Sequence, residues 1–200
     1  MSRTMRWCLL SLFMVFSSVQ AAVLQLDSSG LLTGATGVTV NGNLYDVSFV
    51  DGTCAGLFGG CDQASDFVFQ SRADASAASQ ALLDSVFVDT GSGSFDSVPS
   101  LTLGCGFIHS CDAITPFAID DYSLSFFYAG AQNNAANWLA DVTTAGYQLL
   151  GYDSSGSNAT VFAVWNIASP VPEPETYAML LAGLGFIGFM TLRRKQNFEA

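Results

Sequence analysis

"GVTVNGNLYDVSFV", residues 37–50, carries the clearest local signal in the chain. Asn41-Gly42 is the dipeptide that most readily supplies the two positive φ angles of a two-residue hairpin turn. A turn there sets Val38 opposite Tyr45 and Thr36 opposite Val47. Val38, Val40, Tyr45, Val47 and Phe49 then share one face, and Thr39, Asp46 and Ser48 take the other. The turn and the alternation agree, as a half-buried antiparallel pair requires.

Working outward, "DASAASQALLDSVF" (74–87) has helical spacing. Asp74 is the expected N-cap, and Ala75, Ala78, Leu82 and Val86 form one apolar stripe. "DTGSGSFDSVPS" (89–100) is rich in turn residues and reads as a loop. "DDYSLSFFYAG" (120–130) alternates, with Tyr122, Leu124, Phe126 and Tyr128 on one side and Asp121, Ser123 and Ser125 on the other. "AQNNAANWLADV" (131–142) is ambiguous and admits a short helix around Trp138. "YQLLGY" (147–152) and "ATVFAVWNI" (159–167) are two further strands, separated by the turn residues Asp153–Ser157. The last strand is apolar on both faces, with Val161, Ala163, Trp165 and Ile167 on one and Phe162 and Val164 on the other. Such a strand belongs in the middle of a sheet. Together these segments predict an α+β fold, an antiparallel sheet with one or two helices, filling residues 22–170. A faint internal echo, Cys-Asp followed four residues later by Phe, links "CDQASDFVF" (61–69) to "CDAITPFAI" (111–119). Two matches in so short a window fit chance slightly better than duplication.

Residues 22–170 are strongly acidic. They hold fourteen aspartates, no glutamate or lysine, and one cation, Arg72, for a formal charge of −13. Nucleic acid, which rewards clustered cations, is excluded as a partner. Direct electrostatic adhesion to anionic lipid or to acidic polysaccharide is disfavoured on the same ground, unless divalent cations bridge. Four cysteines fall in this region, Cys54, Cys61, Cys105 and Cys111. An even count in an exported chain points to disulfides. Of three possible pairings, proximity favours Cys54–Cys61 and Cys105–Cys111, each closing a loop that contains glycine. Zinc needs shorter ligand gaps.

No catalytic residue, metal ligand or cofactor is assigned. His109 is the single histidine and lies between Cys105 and Cys111. A Cys–His nucleophile pair needs a free thiol, and an exposed loop histidine is the better reading. Asp120-Asp121, and Asp62 with Asp66, could offer oxygens to Ca²⁺, but the usual D-x-D-x-D-G loop is absent. Paired carboxylates for glycoside hydrolysis are conceivable, though scattered aspartates always supply some pair. Trp138, Trp165, Tyr122 and Tyr128 could stack sugars, although aromatics at strand spacing are more often core. Asn158-Ala159-Thr160 matches a glycosylation sequon and is read as turn chemistry.

The two ends differ from the body. Arg3 and Arg6 precede an apolar stretch, Trp7–Phe16, followed by small and polar residues. This is the pattern of a secretory signal peptide, residues 1–21, cut after Ala21. The apolar stretch is too short to span a bilayer, which takes about 20 residues. At the other end, Pro172, Glu173 and Pro174 form a stiff, extended strip. Tyr177–Leu192 is free of charge and, as a helix, would cover roughly 24 Å, a little short of a full bilayer. Arg193, Arg194 and Lys195 follow, a cationic cluster that stays on the cytoplasmic side. The expected topology is tail inside, body outside.

The motif Pro172-Glu173-Pro174, a single span at 177–192 and the basic tail 193–200 together resemble the PEP-CTERM sorting signal. The resemblance covers residues 171–200, and no comparable resemblance extends into 22–170. It implies recognition by an exosortase, a membrane-embedded transpeptidase-like enzyme, after passage through the export machinery and signal peptidase. It implies a precursor anchored in the inner membrane by its C-terminal helix, then processed to the cell surface or beyond. It also implies association with exopolysaccharide or biofilm. The expected function is therefore non-enzymatic: an exported surface or matrix protein sorted by an exosortase. Two alternatives remain, a carbohydrate-binding module with Ca²⁺ assistance and, behind it, a secreted hydrolase. An exposed aromatic row beside clustered aspartates would favour the module.

Overall fold

The computed structural model describes residues 21–168 and 179–184. The Asn41-Gly42 turn joins β2 (Leu32–Val40) to β3 (Asn43–Val50), after a short β1 (Val23–Leu26). Asn41 and Gly42 have φ of 49° and 81°, the left-handed values that this turn demands. Val38 sits opposite Tyr45 as the sequence requires, but Val47 faces Ala35 and not Thr36. A bulge causes the shift. Thr36 and Gly37 together oppose Asp46, Gly37 adopts φ 71°, and its N–H donates to Asp46 Oδ1 at 3.0 Å. Val38, Val40, Val47 and Phe49 are buried and Tyr45 packs beside them, so the bulge preserves the buried face.

The chain continues through α1 (Cys54–Leu57), α2 (Arg72–Ser85), the two-residue strands β4 (Asp89–Thr90) and β5 (Gly93–Ser94), then β6 (Ser110–Asp120), β7 (Ser125–Asn134), β8 (Val142–Leu149) and β9 (Thr160–Ile167). Seven strands form one sheet in the order β1-β2-β3-β9-β6-β7-β8, with β4 and β5 paired separately. The strand that is apolar on both sides, β9, occupies the centre. It runs antiparallel to β3 and parallel to β6. The sheet is thus mixed, not purely antiparallel. The two halves grow outward as meanders, and the last strand returns between them. A return of that kind fixes direction by geometry and leaves no local sequence mark.

Both faces of β9 are covered. Val161, Ala163 and Trp165 face the larger core, where α2 and Phe49, Phe87 and Phe95 pack. Phe162 and Val164 face a smaller core built with Phe67, Ile114, Phe126 and the Cys54–Cys61 segment. The β6–β9 pairing lasts only from Asp112↔Thr160 to Ile114↔Phe162. Pro116, which has no N–H to donate, follows where the two strands separate. A cavity of about 230 Å³ opens between them, lined in part by Thr115, Pro116 and Trp165. Trp165 Nε1 donates to Thr115 Oγ1 across it at 3.0 Å.

The helix begins three residues earlier than the pattern suggests. Ser71, not Asp74, is the N-cap: its Oγ accepts from Asp74 N at 3.2 Å and donates to Asp74 Oδ2 at 2.7 Å. Asp74 serves from the first turn, where its charge suits the helix end. Ala75, Ala78, Leu82 and Val86 are all buried, as expected. Two other segments depart from their patterns. Tyr122 and Leu124 lie in the β6–β7 turn and are exposed, because β7 starts only at Ser125. Trp138 sits in a turn, and the second, short helix is α1.

Among the described residues no helix is long and apolar enough to cross a membrane. Residues 179–184 are helical. The signal peptide, the Pro172-Glu173-Pro174 motif, the remainder of the expected span and Arg193–Lys195 lie outside the described residues. The chain separates into two units between Ile167 and Ala168.

Candidate functional site

Cys105 pairs with Cys111 at a Cα–Cα distance of 5.5 Å, and Cys54 with Cys61 at 5.6 Å. The Cys105–Cys111 loop is pinned along its backbone. Phe107 N donates to Asn158 O at 2.7 Å, and His109 O accepts from Ala135 N at 2.8 Å. With the main chain held inward, the side chains turn outward. His109 stacks on Trp138, with ring centroids 4.5 Å apart and planes at 22°. Phe107 meets His109 edge-on at 5.3 Å. Trp138 is 56% exposed and Ile108 64% exposed. The result is an apolar platform: an indole braced by an imidazole, on two loops tied to each other.

The second loop, residues 135–141, is held by Asn134, which is 2% exposed. Asn134 N donates to Asp141 Oδ1 at 2.7 Å, and Asn134 Nδ2 donates to Ala140 O at 2.8 Å. Asp141 also meets Asp96. Burial, a hydrogen bond to Asp141 and the charges of Asp141 and Asp89 hold the Asp96 carboxyl above its ordinary range. Asp89 moves the other way. The Ser97 hydroxyl and the N–H groups of Ser97 and Asp96 donate to it and favour its ionised form. Aromatic surface and clustered aspartates therefore occur on the same pair of connecting loops.

The other candidates have structural partners. Cys105 and Cys111 are joined, so neither offers His109 a thiol. Asp66 accepts from the backbone of Asp62 and Gln63, and Asp120 accepts from Tyr122 N and the Ser123 hydroxyl. Both are turn caps. Among the described residues no three acidic, Cys or His groups converge as a metal site. Trp165 is core, and Tyr128 is half-buried against the smaller core. Asn158 lies in the turn that receives Phe107. Sequence reasoning missed Phe107 and Ile108. Their signal was present, since two large apolar residues inside a short loop between cysteines have nowhere to bury.

Residues 170–195 match the PEP-CTERM protein-sorting motif. The match takes in Pro172, Glu173 and Pro174, and Arg193, Arg194 and Lys195. The chain carries the C-terminal sorting signal of an exported protein, and that signal implies an exosortase as its processing partner. No curated protein and no solved structure matches the chain.

Proposed function

We propose that this exported, exosortase-sorted protein is a non-enzymatic component of the cell surface or its matrix, and that its body binds neutral polysaccharide through the Trp138 platform. The observation that carries this reading is the stacked, half-exposed Trp138–His109 pair with Phe107 at its edge. Sugar rings present apolar C–H faces, which pack on aromatic planes, and bracing lowers the ordering cost of binding. The formal charge of −13 on residues 22–170 favours a neutral glycan over a dense polyanion. Titration of neutral oligosaccharides against tryptophan fluorescence tests it. A saturable change that disappears in Trp138→Ala is expected. A panel with no response would overturn the reading.

The sorting half has its own test. Intact mass of the exported form should show loss of everything beyond the neighbourhood of Pro172–Pro174. A mature species that retains Arg193–Lys195 would sink release by the exosortase.

One observation favours calcium assistance. The Asp96 carboxyl is held above its ordinary range by burial and by its neighbours Asp141 and Asp89, and a metal ion there would relieve that negative charge. Calorimetry with Ca²⁺ at neutral pH should give heat and a raised melting temperature if the ion takes that place. Absence of both effects would end the calcium reading. A hydrolase is the weaker reading, because glycosidase carboxylates stand about 5 Å or more apart to flank the bond they cut.

A further inference from the structure

Arg72 is the one cation between residues 22 and 170, and its position is unexpected. It is the first residue of α2, where the helix dipole disfavours positive charge. Fourteen aspartates share the body with it, and the nearest in sequence is Asp74. Asp74, two residues on and pointing elsewhere around the helix, is already engaged by the Ser71 hydroxyl and by Asn41 Nδ2. Helix stability and internal pairing therefore leave Arg72 unexplained.

Its surroundings supply an explanation. Arg72 lines a groove of about 210 Å³ with Phe117, Phe127 and Tyr147. These rings come from adjacent strands β6, β7 and β8. Phe127 lies directly opposite Tyr147. Phe117 is the residue skipped by the register between Pro116 and Ala118, which brings its ring to within 6.4 Å of Phe127. Phe127 and Tyr147 are also 6.4 Å apart, and Tyr147 is 66% exposed. Ala145, on the same face of the edge strand as Tyr147, gives the groove a low floor. The Trp138 platform is elsewhere, beyond the other end of β7, roughly 20 Å along the strand from Phe127.

We infer that the groove walled by Phe117, Phe127 and Tyr147 and closed by Arg72 binds a hexuronate residue carried on an otherwise neutral glycan. The rings take the apolar face of the sugar, and the guanidinium takes its carboxylate in two parallel N–H···O bonds. The groove is smaller than pockets for drug-sized ligands, about 300 Å³ and upward, so it suits a single ring and not an extended peptide. A densely charged polyuronate is a poorer fit. Its further carboxylates would meet the aspartate-rich surface, whereas a solitary one meets Arg72 within a Debye length of about 8 Å. This site goes beyond the Trp138 platform and does not depend on it.

Calorimetry on the full chain tests the inference with three probes: a glucuronate-terminated disaccharide, the same disaccharide ending in glucose, and a polyuronate. The acidic disaccharide should bind about tenfold or more tighter than the neutral one. Arg72→Gln should reduce it to the neutral level, and Tyr147→Ala should weaken both. Should Arg72→Gln fail to fold, salt serves instead: raising it to about 0.5 M should erode the preference in the wild-type protein and leave neutral binding unchanged. Trp138→Ala should keep the preference intact, so that failure of this site and failure of the platform read differently. Equal binding of the two disaccharides overturns the inference. So does a preference that survives Arg72→Gln or high salt, or a polyuronate that binds more tightly than the disaccharide.

Discussion

The two disulfide loops are nearly the same size, with cysteines seven and six residues apart, yet they are put to opposite uses. The Cys54–Cys61 loop turns its apolar residues inward. Phe58 packs edge-on against Phe67 at 5.4 Å and Phe162 at 5.7 Å, completing the smaller core. The Cys105–Cys111 loop turns Phe107 and Ile108 outward and offers them to solvent. The residue after each loop reverses the contrast. Asp62 is exposed beside a 3₁₀ turn, while Asp112 is carried onto β6 and half-buried, with its Oδ1 enclosed. The Cys-Asp echo in the sequence is therefore not a repeated structure. A covalent clip fixes where a loop starts and ends, and the sheet behind it decides which way the side chains point.

The contrast can be broken first at its inward side. Phe162→Ala removes the ring on which Phe58, Phe126 and Tyr152 converge. A loss of about 3–5 kcal/mol is expected in urea unfolding, with the slope unchanged. Phe107→Ala, at the outward loop, is the matched control.

Asp112 sharpens it next. Burial raises its carboxyl from 3.8 to about 6, and Oδ1 has no hydrogen-bond partner. The stability that accompanies protonated Asp112 is complete below 3.8 and is lost as pH rises through about 6. Across that window the shift corresponds to roughly 3 kcal/mol. Thermal melts from pH 3.5 to 7 should fall along that curve for the wild-type protein and flatten for Asp112→Asn. An unchanged slope in the variant would assign the effect elsewhere.

The disulfides follow. Replacing either pair with alanines should cost about 2–3 kcal/mol through the freed loop. Loss of Cys54–Cys61 should cost more, because Leu57 and Phe58 lose their seat. Loss of Cys105–Cys111 should cost less stability but abolish the sugar-dependent fluorescence of Trp138. Equal losses, or a platform that survives reduction, would remove the distinction between the loops. The smallest effect belongs to Phe107→Ala, which should leave stability within about 0.5 kcal/mol, as exposed substitutions usually do.

What the sequence disclosed followed the range of each interaction. The β2–β3 hairpin was legible because its turn and its alternation lie within fourteen residues. The core stripe of α2 was legible for the same reason, and β9 declared its central place by being apolar on both sides. The bulge at Gly37 was not legible, since its glycine is indistinguishable in sequence from its neighbours in "GATG". The parallel register Asp112↔Thr160 was also hidden, because it depends on how two distant segments meet. The Arg72 groove was hidden most completely. Its rings are spread over thirty residues and become neighbours only through strand register.

The placement of β9 has a consequence for biogenesis. The keystone of the sheet is the final strand of the body to be synthesised, so neither half can close around its partner until Ile167 has been made. The sorting signal begins only a few residues later. Processing within that signal falls downstream of every strand, so it leaves the whole seven-stranded sheet on one side of the cut.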